Sequence, residues 1–320
     1  APSVVAAMTG EQVELLRLYS DPTAKELKEK LAGLYGVQPE NVFVSNGSDE
    51  VLNFAFMAFC DADHPAIFPD ITYGFYKVFA GLNGVPYEEK PLNPDFTVQV
   101  EDYLNCGRTV FLANPNAPTG IALPLGDIER IVASNPDNVV IIDEAYVDFG
   151  GESALPLIEK YDNLLVIQTF SKSRSLAGGR LGMAFGCEAL IRDLNTIRYS
   201  TNPYNINSMT MAAGVGALED LDYFRSNCET IRENRAWTAA RLAELGFEMT
   251  DSKTNFLFVR HPAISGKALY TALREQGILV RHFDTPRLTD FIRVTVGSRE
   301  QMDAFVNAVA SIISTRRNLQ

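Results

Sequence analysis

Lys172 stands in the run Thr169-Phe170-Ser171-Lys172-Ser173-Arg174, directly after an apolar stretch that reads as a strand. An amine just past a buried strand, beside two hydroxyls, suits Schiff-base chemistry, because partial desolvation lowers the pKa of an amine toward neutrality. A second cluster, Val139-Val140-Ile141-Ile142-Asp143-Glu144-Ala145-Tyr146, ends another apolar strand in an acid. Burying that carboxylate is costly unless it meets a cation. A protonated pyridine nitrogen would serve, and holding that proton makes such a ring an electron sink. Tyr146, three residues on, can donate to a phenolic oxygen of the same ring.

Four further runs carry binding chemistry. Ser45-Asn46-Gly47-Ser48-Asp49-Glu50 sets backbone N–H groups and a hydroxyl at a helix start, a cradle for an anion. Gly178-Gly179-Arg180-Leu181-Gly182 joins close backbone approach to a planar phosphate donor. Two prolines stiffen the loop Asn114-Pro115-Asn116-Ala117-Pro118-Thr119-Gly120. In Phe291-Ile292-Arg293-Val294-Thr295-Val296-Gly297 an arginine sits inside an alternating strand, where a carboxylate is its natural partner. Each run except the proline-stiffened loop also has an ordinary reading: a solvated lysine, a strand-ending cap, a helix cap, a plain turn, an exposed edge. None decides anything alone.

The elements that must position these groups follow an α/β pattern. Apolar strands at Thr109–Leu112, Val139–Ile142 and Leu164–Gln168 alternate with amphipathic helices at Leu125–Ala133 and Leu190–Ile197. Ser48 with Asp49 and Glu50 starts a helix that runs through Val51–Phe59. A long helix over Tyr223–Leu245 precedes strands at Asn255–Val259, Ile278–Arg281 and Phe291–Val296 and helices at Gly266–Glu275 and Glu300–Ile313, a small α/β unit. The expected division is residues 1–21 as a less regular arm, 22–222 as a large domain, and 223–320 as the long helix with a small domain. Because the sequence opens at Ala1 rather than Met, the arm is expected to be the remainder of a longer one.

Composition narrows the function. A net charge of −12 repels nucleic acid and anionic membranes, although a locally basic site can still take a phosphate ester. Cys60, Cys106, Cys187 and Cys228 are scattered without a CxxC, and His64, His261 and His282 sit in no ligand spacing. No metal is expected. Free thiols, no apolar run of membrane-spanning length and no evident signal peptide suggest a cytoplasmic setting.

Taken together and in order, SNGSDE (Ser45–Glu50), ITYGFY (Ile71–Tyr76), NPNAPTG (Asn114–Gly120), DEAY (Asp143–Tyr146), TFSKSRSLAGGRLG (Thr169–Gly182) and RVTVG (Arg293–Gly297) resemble the fold-type-I pyridoxal-phosphate enzymes, specifically the histidinol-phosphate aminotransferase branch. The likeness runs from about Leu18 to the C-terminus. It implies a large domain on a mostly parallel seven-stranded sheet, a small C-terminal α/β domain, and pyridoxal 5′-phosphate as cofactor. Lys172 would be the Schiff-base lysine and later the base that moves a proton between Cα and C4′. Asp143 would pair with the pyridinium nitrogen, Tyr146 with the phenolic oxygen, and Tyr73 would stack on the ring. Ser48, Asp49 through its backbone N–H, Ser171 and Arg180 would hold the phosphate. Tyr19 would reach the phosphate of a neighbouring subunit, which implies a homodimer with shared sites. Arg281 and Arg293 would form an anion clamp for both a phosphorylated amine and glutamate or 2-oxoglutarate, with Arg287 as a helper.

Two departures stand out. The family usually has Asn immediately before Pro-Thr-Gly, where this chain has Ala117; either Asn116 substitutes from one residue upstream or Tyr146 acts alone, and Asn116 is counted among the cofactor contacts. The family's Asn-Glu-rich N-terminal arm is not visible. An aromatic-amino-acid aminotransferase or a threonine-phosphate decarboxylase would share much of this motif set. A non-catalytic cofactor-binding regulator would need a basic DNA-binding part, and the charge has the wrong sign for it.

Overall fold

A computed structural model describes residues 1–317. Seven strands build the first sheet: β1 (Val42–Ser45), β2 (Ala66–Pro69), β3 (Tyr87–Lys90), β4 (Thr109–Ala113), β5 (Val140–Asp143), β6 (Leu164–Thr169) and β7 (Gly182–Phe185). Their order is β1-β7-β6-β5-β4-β2-β3. β7 runs antiparallel to both neighbours, and the other pairings are parallel. This is the mostly parallel seven-stranded sheet that the motifs imply.

Both faces of the sheet are covered, which is why its central strands are continuous apolar runs. Alternation sorts their side chains into two cores: Val110, Leu112, Val140, Ile142 and Val166 on one face, Phe111, Ile141, Leu165 and Ile167 on the other. The same period of two sends Asp143 and Glu144 to opposite sides of the strand end. Ala113, Asp143 and Ile167 are in register, so β4 and β5 end on one level and β6 runs two residues beyond it, to Thr169.

Helix Leu221–Glu244 leads to a second sheet of β8 (Glu248–Met249), β9 (Phe256–Arg260), β10 (Arg281–His282) and β11 (Phe291–Thr295), ordered β10-β11-β9-β8 and antiparallel throughout. Helices Gly266–Glu275 and Arg299–Arg317 flank it, and its core gathers Leu257, Val259, Ile292, Val294 and Phe305. The strand expected at Ile278–Arg281 is shorter: only Arg281 joins the ladder from that run. The cause is the helix end, where Gly277 at φ 77° turns the chain and the Ile278 N–H is spent capping the Leu273 carbonyl. A seam of Ile71, Leu92 and Phe96 from the first unit and Phe258, Leu288 and Phe291 from the second joins the two.

Residues 1–21 are more regular than expected, with helices at Pro2–Ala7 and Gly10–Glu14. Val4 enters the first core. Gly216, in helix Ser208–Glu219, leaves room for the Ser3 carbonyl, which a Cβ there would approach to 2.8 Å. The arm nonetheless leaves Val5, Val13, Leu16, Leu18 and Tyr19 exposed. The four cysteines are free thiols, and among the described residues no helix is long and apolar enough to cross a membrane.

The pairing of β1 with β7 depends on Gly182, whose Cβ would lie 2.4 Å from the Gly47 carbonyl carbon and 2.5 Å from the Ser48 nitrogen. Both neighbours are backbone and cannot rotate away. Gly182→Ala should therefore destabilise the protein by about 2 kcal/mol or more, as overpacked sites do. A lowered urea midpoint checks this, and an unchanged midpoint contradicts the packing argument.

Candidate active site

A cavity of about 660 Å3, open mouth included, lies past the carboxyl ends of β4, β5 and β6, where open α/β sheets bind ligands. Its walls bring together Ser48, Asp49, Tyr73, Asp143, Tyr146, Ser171, Lys172 and Arg180, eight of the ten residues expected to touch the cofactor.

Asp143 is 5% exposed at the floor of the cavity. Burial pushes its carboxyl up to about 6, while the Tyr76 hydroxyl at 3.1 Å and the Ala145 N–H at 3.2 Å hold it down. Tyr76 has no solvent exposure at all. Its role was missed in the sequence because an aromatic at that spacing on helix Phe75–Leu82 reads as core. Glu144, on the other side of the strand, does not line this cavity. It accepts from the Ser153 hydroxyl and the Ala154 N–H, both at 2.6 Å, and from Gln168 at 2.9 Å, so it braces the following loop; burial pushes it up to about 7.

The opposite end of the cavity is built from two glycine-backed turns. Arg180 has a left-handed backbone at φ 51°, and its guanidinium lies so close to Gly47 that a Cβ there would meet Nη2 at 2.6 Å. Beside it, helix Ser48–Phe59 begins, so N–H groups and a guanidinium converge as an anion site requires. The Asp49 side chain adds a contact that the sequence did not suggest. Its Oδ2 lies 3.4 Å from Arg180 Nη2, and its Oδ1 accepts from the Tyr73 hydroxyl at 2.7 Å. Burial and that hydrogen bond raise the Tyr73 hydroxyl well above its ordinary pKa. Lys172 Nζ lies 5.4 Å from the centre of the Tyr146 ring, which meets Phe256 of β9 edge-on at 5.2 Å.

Asn116 lies outside this cavity, and Tyr19, expected at the phosphate of a neighbouring subunit, is exposed. Asn116 is buried: it accepts from the Thr72 hydroxyl at 2.8 Å and donates to the Ile71 carbonyl at 2.9 Å and the Thr119 hydroxyl at 3.1 Å. With its amide committed to bracing the loop, Ala117 lines the cavity instead. Tyr19 is 82% exposed and stacks on Tyr204 at 4.4 Å, away from the cavity of its own chain.

A wider vestibule of about 1600 Å3 adjoins the cavity and shares Tyr73 and Ala117 with it. Arg281 and Arg293 both line it, directly opposite each other on β10 and β11. Like charges in that register are destabilising unless an anion joins them. Arg293 Nε is buried without a partner, its guanidinium lies 4.9 Å from the Phe256 ring centre, and burial, with Arg281 adding to it, lowers its pKa. Arg287 also lines the vestibule, and its guanidinium already lies against Asp70 and the Asn93 carbonyl.

These donors fit pyridoxal phosphate. A desolvated acid, two tyrosines and a lysine line one cavity, and a glycine-backed arginine beside a helix start completes an anion cradle.

The pH response follows from the two buried acids. Both titrate higher in the folded chain than unfolded, so their contribution to stability is complete below about pH 4 and is lost as pH rises through about 6 for Asp143 and about 7 for Glu144. The urea midpoint of the cofactor-free protein should carry a falling component across that window, and Asp143→Asn should make it shallower. Tyr76→Phe should move the Asp143 titration, read by carboxyl infrared or NMR signals, above its wild-type position. An unmoved titration would show that Tyr76 does not stabilise the ionised acid.

Comparison with known proteins places this geometry. The sequence matches the family described as aminotransferase class I and II over residues 2–309. It is 47% identical over 314 residues to a histidinol-phosphate aminotransferase of Brachyspira hyodysenteriae, covering 98% of this chain and 89% of that one. Its structure is similar to that of the histidinol-phosphate aminotransferase from Sinorhizobium meliloti in complex with pyridoxal-5′-phosphate, with a TM-score of 0.90, 26% identity, and coverage of 100% and 88%. The L-threonine-O-3-phosphate decarboxylase of Porphyromonas gingivalis shares the fold, with a TM-score of 0.84, 20% identity, and coverage of 97% and 95%. A lysine, a buried acid and a glycine-backed arginine meet in one cavity, within a sequence matched almost end to end. This chain belongs to the class I and II aminotransferases.

Proposed function

We propose that the chain is a pyridoxal-phosphate-dependent aminotransferase that converts L-histidinol phosphate and 2-oxoglutarate to imidazole-acetol phosphate and L-glutamate, a step of histidine biosynthesis. The observation that carries this reading is the pair Arg281 and Arg293, set face to face at the mouth of the Lys172 cavity with the Arg293 Nε unpartnered. Two adjacent arginines suit a phosphate ester in one half-reaction and a dicarboxylate in the other, since both anions present paired oxygens to a guanidinium fork. The 47% identical relative named for this activity supports the same substrate.

Bound in the cavity, pyridoxal phosphate supplies an electron sink next to the substrate's Cα. The residues do the rest. Asp143, desolvated and held by Tyr76, would keep a proton on the ring nitrogen of the bound cofactor. Tyr146 would donate to the ring oxygen without help from Asn116. Lys172 would serve as the base that moves the substrate's Cα proton. Ser48, Ser171, Arg180 and the Asp49 N–H would hold the phosphate, and Tyr73 would lie against the ring. Asp49 has a second task, because its carboxylate ties Arg180 to Tyr73. The exposed Tyr19 serves the site of a second copy, and the exposed apolar side chains of the arm supply part of the contact, in a cytoplasmic homodimer. Residues 22–220 form the large domain of this enzyme; the long helix, which begins at Leu221 rather than at residue 223, and the described residues after it up to 317 form the small one.

A panel of amino donors tests the substrate. Histidinol phosphate with 2-oxoglutarate should yield glutamate. Carbon dioxide from threonine phosphate, or a preference for aromatic amino acids, would replace this reading with one of its rivals on the same fold. Lys172→Ala should fold, lose the visible absorption of the lysine-bound cofactor and lose activity; retention of that absorption refutes the lysine's role. Arg293→Ala should weaken both anionic substrates by about one to two decades, since a charged hydrogen bond contributes roughly 1.5–3 kcal/mol. Half-saturation concentrations measure this.

A further inference from the structure

The connection between β10 and β11 reaches out of its own unit through Arg287. Its Nη1 lies 3.5 Å from Asp70 Oδ2, its Nη2 donates to the Asn93 carbonyl at 2.6 Å, and its guanidinium lies 5.2 Å from the Phe96 ring centre. All three partners belong to the first unit. Asp70 follows directly on β2 and is itself fixed, accepting the Leu92 N–H at 2.9 Å.

Backbone conformation singles out the same contact. Arg287 has φ 67° and Phe96 has φ 68°, both in the left-handed region. Residues with side chains hold that conformation only where surrounding contacts over-determine it, and such sites concentrate near function. Here two of them touch each other across the joint between the units.

Beneath this contact runs the apolar seam. Phe96 meets Phe258 edge-on at 5.8 Å and Phe291 at 5.4 Å, while Leu288, next to Arg287, is buried among them. The same connection carries Phe283, whose ring lies 5.6 Å from the Arg281 guanidinium and 5.9 Å from that of Arg293, and packs on Phe258 at 6.3 Å. The hairpin that bears both arginines is thus secured to the first unit at its loop end.

We infer that Asp70, Asn93 and Phe96 clasp Arg287 so as to set where the β10–β11 hairpin stands over the Lys172 cavity. Arg287 is a positioning residue for Arg281 and Arg293, not an anion ligand. The inference rests on the anion-clamp role proposed for that pair. The reacting lysine belongs to one unit and the anion clamp to the other, so a substrate that spans them needs their separation fixed; small displacements of bound groups cost rate and affinity steeply. With its guanidinium engaged by Asp70 and the Asn93 carbonyl, Arg287 has fewer donors left for a substrate anion.

The test compares Arg287→Ala, Asp70→Asn and the double variant as loaded enzymes. Half-reactions with glutamate and with histidinol phosphate are followed by the absorbance of the bound cofactor. Half-saturation should rise for both donors together, by about tenfold, with the limiting rate changed far less. The double variant should be no worse than the more severe single, because both remove one shared contact. A loss confined to the phosphorylated donor makes Arg287 a direct ligand and overturns the inference; additive losses overturn the shared clasp. Amide hydrogen exchange supplies a readout independent of the donor. Exchange in β10 and β11 should quicken in each variant while that in β4 to β6 stays unchanged. Unaltered exchange in β10 and β11 refutes the clasp. Wild-type enzyme that ignores histidinol phosphate but accepts glutamate refutes the proposed substrate alone, and the glutamate and exchange arms still decide the clasp.

Discussion

A carboxylate at the buried end of a central strand is an uncomfortable placement, and the site is organised around it. Asp143 cannot be moved to solvent without taking β5 out of the sheet, because its register with Ala113 and Ile167 is fixed by ladders on both sides. Its charge is tolerated because the Tyr76 hydroxyl and the Ala145 N–H address its two oxygens. What remains uncompensated is an appetite for a cation in the cavity. The lysine, the aromatic face and the anion cradle are arranged around the space where such a cation would stand.

That arrangement is shared between two units. The first sheet supplies the floor, the lysine and the cradle, whereas the second supplies Phe256 against Tyr146 and the two arginines of the vestibule. Facing arginines disfavour the antiparallel pair that carries them, so the hairpin needs support from outside its own ladder. The apolar seam and the Arg287 contacts provide it. Charge that weakens the hairpin locally is therefore compatible with a fixed position relative to the lysine.

Much of this was legible from residue types. Unbroken apolar runs announced β4, β5 and β6 because a strand covered on both faces has no polar side to alternate with. Eight of the ten expected cofactor contacts lie at one cavity because they sit at strand ends or helix starts, where the backbone dictates direction. What escaped notice depends on side-chain direction in irregular segments. Asn116 turns inward to brace its loop, and nothing in its neighbours' identities says so. Tyr76 looks like core because most of it is core, and only its hydroxyl meets Asp143. The shortened strand before Arg281 reflects a helix-capping arrangement at Gly277 that competes with the ladder for the same N–H group. Arg287 resembles the clamp arginines in type and region, and only its three partners in the other unit separate it from them.

The two glycine-backed turns that hold Arg180 against Gly47 have an implication for assembly. Asp49 and Arg180 are 131 residues apart in the chain, and they become neighbours only when β7 inserts antiparallel between β1 and β6. Bringing such distant segments together is opposed by chain entropy. No half-built form of the sheet offers the cradle, so a phosphate-bearing ligand binds the finished sheet and nothing earlier. Its binding energy is thereby linked to the completed sheet, which a bound phosphate-bearing ligand stabilises by mass action.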